Sequence, residues 1–306
     1  MAQAVRFDEY GDVDVLQVVE VAEPEPGAGE VVVRVVAAGI NPGEAKIRSG
    51  ALHDRWPASF PSGEGSDFAG RVSALGAGVG GVAVGDEVLG FTNERASQAT
   101  FVVVPVDQVT PKPAAVSFPV AGALFVAGST AFAAVRAVDA GEGDVVAVSG
   151  AAGGVGSLVV QLLLARKATV IGIAGPANHD WLREKGVTPV EYGDGLADRL
   201  RALAPGGIDA FIDTHGVGYV ALAVELGVKP DRIDTIADFE AVGKYGVKAE
   251  GSGAADTIDV LAELADLVAA GTLEVPIAAT YPLAEVREAY RELDRGHTRG
   301  KIVLEP

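Results

Sequence analysis

One glycine turn, set between two different periodicities, constrains this chain more than any other feature. Asp144-Val-Val-Ala-Val-Ser149 is a β-branched apolar run. Gly150, Gly153 and Gly156 follow at intervals of three, and Ser157-Leu-Val-Val-Gln-Leu-Leu-Leu164 takes up a helical apolar pattern. A strand, a tight turn and a helix in that order form the cradle that a dinucleotide pyrophosphate needs. Gly150 permits the turn, Gly153 lets the backbone approach the phosphates, and Gly156 lets the helix pack close to the strand. The helix N-terminus adds free N–H groups and partial positive charge. Gly154 and Val155 lie inside the same turn and join the cofactor-binding set. Glycines alone are a weak signal, and the strand before and helix after them make it specific. The alternative is a Gly/Ala-rich turn in a buried α/β core.

The remaining totals narrow the class. A length of 306 residues suggests two domains. The net charge of −18 argues against nucleic-acid partners and anionic membrane surfaces. Cysteine is absent, so disulfides, thiolate metal sites and cysteine nucleophiles are excluded. That absence fits a reducing compartment. The N-terminus lacks the apolar core of a signal peptide, and a cytoplasmic location is expected. Residues 113–135 and 145–165 carry no charged side chain and reach membrane-spanning length. Both are interrupted by Gly, Ser or Pro, and they read as buried strand and helix rather than as membrane spans.

Residues 1–112 read as mostly β. Ala4–Phe7, Val15–Val19, Val31–Val36 and Phe101–Val104 are β-branched runs between Gly, Pro and Asp breaks. From about residue 118 strands alternate with helices. Strands are expected at 144–149, 168–173, 208–213 and 232–237. Helices are expected at 117–138, 153–166, 178–186, 195–204, 217–227 and 255–270. A final portion, 273–306, carries helix-like Leu283–Leu293 and strand-like Lys301–Leu304. The fold class is α/β, a doubly wound parallel sheet joined to a β-rich unit.

Six segments together carry a resemblance. They are Ala38-Gly-Ile-Asn-Pro-Gly-Glu-Ala-Lys-Ile-Arg-Ser-Gly50, Gly63-Glu-Gly-Ser-Asp-Phe-Ala-Gly70, Val84-Gly-Asp-Glu-Val-Leu-Gly90, Ala127-Gly-Ser-Thr-Ala-Phe132, Ser149–Gly156 and Arg299-Gly-Lys-Ile-Val-Leu304. The chain resembles the medium-chain dehydrogenase/reductase superfamily, and more narrowly its zinc-independent quinone oxidoreductase branch, the zeta-crystallin-like enzymes. The resemblance implies a GroES-like catalytic domain from 1–117 and 273–306 and a Rossmann dinucleotide-binding domain from 118–272. It also implies a homodimer. Zinc-using relatives hold their metal on a cysteine and a histidine where this chain has Asn41 and the stretch around Ser66 and Asp67. His53, His179, His215 and His297 are scattered without ligand spacing. No metal is expected.

Without a Lewis acid the acceptor must already be electrophilic, as a quinone or an α,β-unsaturated carbonyl is. The resemblance places Asn41 beside nicotinamide and substrate and makes it the leading candidate there; the alternative is a turn asparagine before Pro42 that satisfies local backbone. Thr130 is implied to hydrogen-bond the cofactor, or else bonds its own helix backbone. Lys46 is either a proton donor in a dry pocket or a solvated surface lysine. Leu52, His53, Trp56 and Phe91 are either substrate walls or parts of a scattered apolar core.

An NAD-selective fold places an acid about 20 residues past the glycines to hold the ribose 2′-OH. After Ala168–Ala174 no acid occurs before Asp180, which favours NADPH, with NADH possible. The Ser and Arg that similar enzymes use for the 2′-phosphate are replaced by Gly175 and Ala177. Asn178, His179, Arg183 and Tyr192 are the substitutes at hand. Thr214 and Gly216 end a strand and edge the cofactor. Arg299 and Lys301 either reach its pyrophosphate or ribose or are ordinary cations. The sequence therefore reads as an NADPH-dependent, zinc-free quinone or enone reductase. An enoyl-thioester reductase and a non-catalytic nucleotide sensor are the alternatives.

Overall fold

The computed structural model describes residues 2–216 and 218–306. The chain divides into two compact units. One comprises Met1–Val126, Thr257–Ala270 and Val275–Pro306, and the other Ala127–Asp256 and Gly271–Glu274.

The first unit begins with β1 (Ala2–Phe7), β2 (Gln17–Val21), β3 (Glu30–Gly39), α1 (Pro42–Arg48) and β4 (Ser62–Gly63). It continues with β5 (Asp67–Leu75), β6 (Glu87–Phe91), β7 (Phe101–Pro105), β8 (Val109–Pro111) and α2 (Phe118–Ala121). The long strand β3 organises it, pairing antiparallel with both β5 and β7. Val31, Val33 and Val35 pack with Phe68, Val88 and Val102 on one side, while Val32 packs with Ala2 and Phe101 on the other. Burial on both faces explains why this strand is a continuous valine run rather than an alternating one.

The second unit holds most of α3 (Phe125–Ala137), then β9 (Val145–Ser149), α4 (Gly156–Ala165), β10 (Thr169–Ile173) and α5 (His179–Glu184). After these come β11 (Thr188–Val190), α6 (Leu196–Leu203), β12 (Ala210–Asp213), α7 (Tyr219–Glu225), β13 (Ile233–Thr235) and α8 (Phe239–Tyr245). The sheet order is β11-β10-β9-β12-β13, and every pairing is parallel. Ala147, Ile171, Phe211 and Ile233 fill its core with Leu200 and Val220. Strand order reverses between β9 and β12, so a crevice for ligands lies beyond their C-terminal ends.

The chain then returns to the first unit through α9 (Ile258–Ala269), β14 (Ile277–Pro282), α10 (Val286–Asp294) and β15 (Lys301–Glu305). β15 pairs antiparallel with the end of β3, Val303 opposite Gly39. Buried Val286, Ala289 and Tyr290 of α10 pack with Phe7, Leu16, Ile40 and Ile302.

Several expectations need correction. The helix expected over 117–138 is two helices, because the Gly122 carbonyl accepts the Gly39 N–H (2.7 Å) and leaves the helical ladder. Residues 118–126 and 257–270 belong with the first unit, where α2 lies on β3 and β5 and α9 lies on β8. The helix expected from 153 starts at Gly156, since residues 150–155 make the turn. The helix start expected at 217 lies outside the described residues. The apolar stretches 113–135 and 145–165 resolve into short helices, a strand and turns. No helix among the described residues is long and apolar enough to cross a membrane.

Candidate active site

The glycine turn leaves the C-terminal end of β9 in the left-handed region, with Gly150 at φ +60°. The Gly153 N–H donates to the Gly150 carbonyl (2.9 Å), and the Ser157 N–H donates to the Gly153 carbonyl (2.9 Å). A Cβ on Gly156 would lie 2.1 Å from the Gly150 oxygen, so helix and turn touch backbone to backbone. A Cβ on Gly153 would meet only the Gly150 oxygen, at 3.3 Å, and otherwise open space. No side chain caps α4 at Val155. The Ser157 and Leu158 N–H groups are spent on the Gly153 and Val155 carbonyls, which leaves the Gly156 N–H at the helix start for an outside acceptor. Gly154 completes this turn. The cradle therefore fits a pyrophosphate.

The loop after β12 is tied to the same turn. Thr214 donates its hydroxyl to the Ser149 carbonyl (2.7 Å), and its N–H goes to the Ser149 hydroxyl (3.0 Å). Gly216 is buried beside it. A groove of approximately 450 Å³ opens on this unit, lined by Gly193, Leu196, Ala197, His215 and Tyr219 among others. His215 meets Tyr219 edge to face, their ring centroids 5.6 Å apart.

Beyond β10, the ring of the exposed Tyr192 lies near Gly175, where an added Cβ would meet it at 3.5 Å. Asn178 is half-buried at the start of α5. The His179 Nε2 lies 3.1 Å from the Ala174 carbonyl, so the ring turns back onto backbone. Arg183 is exposed and pairs with Asp180 (2.7 Å). Sequence reasoning missed Arg199. Its guanidinium donates to the Asp194 carbonyl (2.7 Å) and the Glu191 carbonyl (2.8 Å), fixing the loop that presents Tyr192. An arginine in the first turn of a helix that follows Gly193-Asp-Gly195 was the available signal.

The first unit builds its site around Asn41. Glu44, three residues on, reaches back to the Asn41 N–H (2.9 Å) and the Asn41 Nδ2 (3.0 Å). That is a capping arrangement readable from Asn-x-x-Glu. The other Nδ2 hydrogen goes to Asp67 (3.0 Å), and the Asn41 Oδ1 accepts from the Lys301 ammonium. A flipped amide would set oxygen against two carboxylates, so this orientation is the satisfied one. Both Asn41 donors are consumed, and no N–H remains on this side chain for a substrate. Lys301 also donates to the Ile40 carbonyl (3.0 Å) and lies 3.7 Å from Asp67. At 4 % exposure it is buried in this network, which corrects its assignment to the cofactor.

Behind Asn41 the network deepens. Tyr290 donates to Glu44 (2.8 Å) and accepts from Gln98 (2.7 Å), while Ser66 N–H also reaches Glu44 (3.2 Å). Asp67 accepts the Val126 N–H (2.6 Å). Arg48 pairs with Glu64 (2.8 Å) and lies over the Tyr290 ring. Burial, then the charge of Asp67, raises the Glu44 carboxyl above its ordinary range. Burial likewise raises Asp67, against the pull of Lys301. Glu64 is pushed up to about 8, first by burial and then by Glu44, with Arg48 opposing.

A pH dependence follows. An unfolded glutamate ionises near 4.5, whereas folded Glu64 keeps its proton to about 8. Between those values the fold binds more protons, so this contribution to stability is lost as pH rises. Urea unfolding at about pH 5 and about pH 8 should show wild type losing more stability over that range than Glu64→Gln, whose neutral amide still accepts from Arg48. Identical slopes in the two proteins would remove Glu64 from the account.

The other expected site residues are dispersed. Thr130 is buried in α3. Lys46 is exposed on α1, the solvated arrangement of the two considered. His53 accepts the Tyr10 hydroxyl hydrogen at Nδ1 (2.8 Å) in one tautomer, and the same phenol oxygen accepts the Ala58 N–H (2.8 Å). Trp56 is exposed and Leu52 half-buried in the same loop. Phe91 takes the core reading of its two: it is buried and stacked on Phe125 at 4.0 Å, which removes it from the substrate wall. Arg299 is exposed just before β15. Among the described residues no group of three or more His, Asp or Glu side chains is arranged to hold a metal ion.

Comparison with known proteins agrees with both units. Residues 27–114 match the alcohol dehydrogenase GroES-like domain, and residues 188–304 match the zinc-binding dehydrogenase family. The quinone oxidoreductase of Coxiella burnetii is 30 % identical with a TM-score of 0.88, the match covering 100 % of this chain and 99 % of that one. The Escherichia coli quinone oxidoreductase, solved in complex with NADPH, is 26 % identical with a TM-score of 0.89 over 99 % of this chain and 100 % of that one. A chloroplastic quinone-oxidoreductase homolog of Spinacia oleracea is 26 % identical over 100 % of this chain and 99 % of its own length. With this fold and glycine turn, the chain belongs to the quinone oxidoreductase branch of the medium-chain dehydrogenase/reductase superfamily and is an NAD(P)H-dependent oxidoreductase.

Proposed function

We propose that this enzyme uses NADPH to reduce a quinone or an α,β-unsaturated carbonyl, and that it does so without a metal. Bound NADPH supplies the hydride. The protein's own part is to hold the dinucleotide on residues 150–156 and to position the acceptor while excluding water. The observation that carries the reading is the state of Asn41. Where zinc-using relatives keep a ligand, this amide is saturated by Glu44, Asp67 and Lys301. An acceptor activated by its own conjugation suits such a site. The relative solved with NADPH supports the cofactor. So does the loop after β10, whose first acid, Asp180, is paired outward with Arg183.

Tyr192 lies near Gly175, but Ala177 offers no forked cation for a 2′-phosphate, and charge-assisted contacts are the strong ones. A modest preference for NADPH over NADH is expected, about ten-fold in kcat/KM. Ala177→Arg should widen it. The test is cofactor consumption with a panel of quinones and enones after exhaustive chelation. Activity that disappears on chelation and returns with zinc would overturn the metal-free reading. A wild type preferring NADH would overturn the cofactor assignment.

A further inference from the structure

At the C-terminal edge of the parallel sheet, Asp213 is fully buried, and four neutral donors converge on it. Its Oδ1 accepts the Ser149 hydroxyl (2.5 Å), the His215 N–H (3.0 Å) and the Gly216 N–H (2.9 Å). Its Oδ2 accepts the Thr235 hydroxyl (2.8 Å). Thr235 in turn accepts the Asp238 N–H (3.0 Å). One carboxylate therefore joins the last residue of β9, the loop after β12 and the last residue of β13. Ser149 is the residue directly before Gly150.

From this geometry we infer that Asp213 is a positioning residue for the dinucleotide. It locks the glycine turn, and the loop whose His215 lines the groove, into the shape that receives the cofactor before the cofactor arrives. The inference rests on the reading of residues 150–156 as the cofactor cradle. A buried carboxylate held by neutral donors gains nothing for the sheet that an apolar residue of similar size could not supply, because burying charge is costly. What it adds is a single point that accepts hydrogen bonds from three strand ends. Two of those donors are backbone N–H groups in the loop, and ordering that loop in advance removes an entropic cost from binding.

The test measures NADPH affinity by fluorescence titration, with apo-protein unfolding and amide exchange recorded on the same variants. Asp213→Ala should weaken NADPH binding by about ten-fold or more and speed exchange at His215 and Gly216. Asp213→Asn keeps an oxygen at Oδ1 and should restore most of the affinity. Ser149→Ala removes the bond to Asp213 together with the acceptor of the Thr214 N–H and should cost about five-fold to thirty-fold, the range for one to two hydrogen bonds. If Asp213→Ala does not fold, Ser149→Ala and Thr235→Val decide the matter. Lower unfolding temperatures with unchanged NADPH affinity would overturn the inference and leave Asp213 a support of the sheet. Wild-type protein that binds neither NADPH nor NADH would instead overturn the underlying reading of the cradle.

Discussion

Gly156→Ala is expected to weaken NADPH binding by about a hundred-fold, roughly 2.8 kcal/mol. The added methyl would sit 2.1 Å from the Gly150 oxygen and 2.8 Å from its carbonyl carbon. Both are backbone atoms at the point where β9 ends, so neither yields without moving the turn away from α4. That movement withdraws the helix start, with the Gly156 N–H, from the position where it meets phosphate. Gly153→Val provides the contrast. Only one oxygen stands near that position, at 3.3 Å, so the turn keeps its shape. The new side chain then occupies ligand space, and affinity should fall by about ten-fold while stability holds. Titrating both folded variants separates the two roles. Wild-type affinity in Gly156→Ala would mean that the helix start contributes nothing to binding.

Lys301→Met is expected to destabilise the first unit by about 3–5 kcal/mol, the cost of breaking a buried ion pair by removing one partner. Asp67 is fully buried, and the ammonium is its cation. Methionine fills similar volume but leaves both Asp67 and the Asn41 oxygen short of a partner. Adding Asp67→Asn should recover a good part of the loss, since the two sites are coupled. Denaturant unfolding of the two single variants and the double variant checks this. If Lys301 served the cofactor instead, Lys301→Met would lower NADPH affinity at unchanged stability.

The fold was legible where its signals are local. The β9–turn–α4 passage combines a strand pattern, glycine chemistry and a helix pattern within twenty residues, and each could be read directly. Strand β11 escaped because Thr188-Pro-Val190 is three residues long and contains a proline. Helix α8 escaped because Phe239-Glu-Ala-Val-Gly-Lys-Tyr245 carries an internal glycine and no long apolar stripe. The glycine cradle of the second unit was legible for the same reason. The network around Asn41 in the first unit depended on partners distant in sequence. Nothing near Lys301 announces that its partners are Ile40, Asn41 and Asp67, and a terminal cation next to a glycine reads equally well as a cofactor contact. Phe91 was undecided for the same reason. An aromatic at a strand end suits a substrate wall or the core, and only the structure shows Phe125 lying flat against it.

The distance along the chain between those partners has a consequence for synthesis. Tyr290 is separated from Glu44 by 246 residues and Lys301 from Asn41 by 260. While the ribosome is still translating the dinucleotide unit, Glu44 and Asp67 have been made but the phenol and the ammonium that accompany them have not. The nascent first unit must therefore wait, with its acidic pocket incomplete, while the second unit, whose strands pair over spans of 17 to 64 residues, forms behind it. Premature termination within α10 or before β15 would release a polypeptide whose nucleotide half can form and whose other half lacks its neutralising charge. Such fragments would be recognised by proteases through the first unit, not the second.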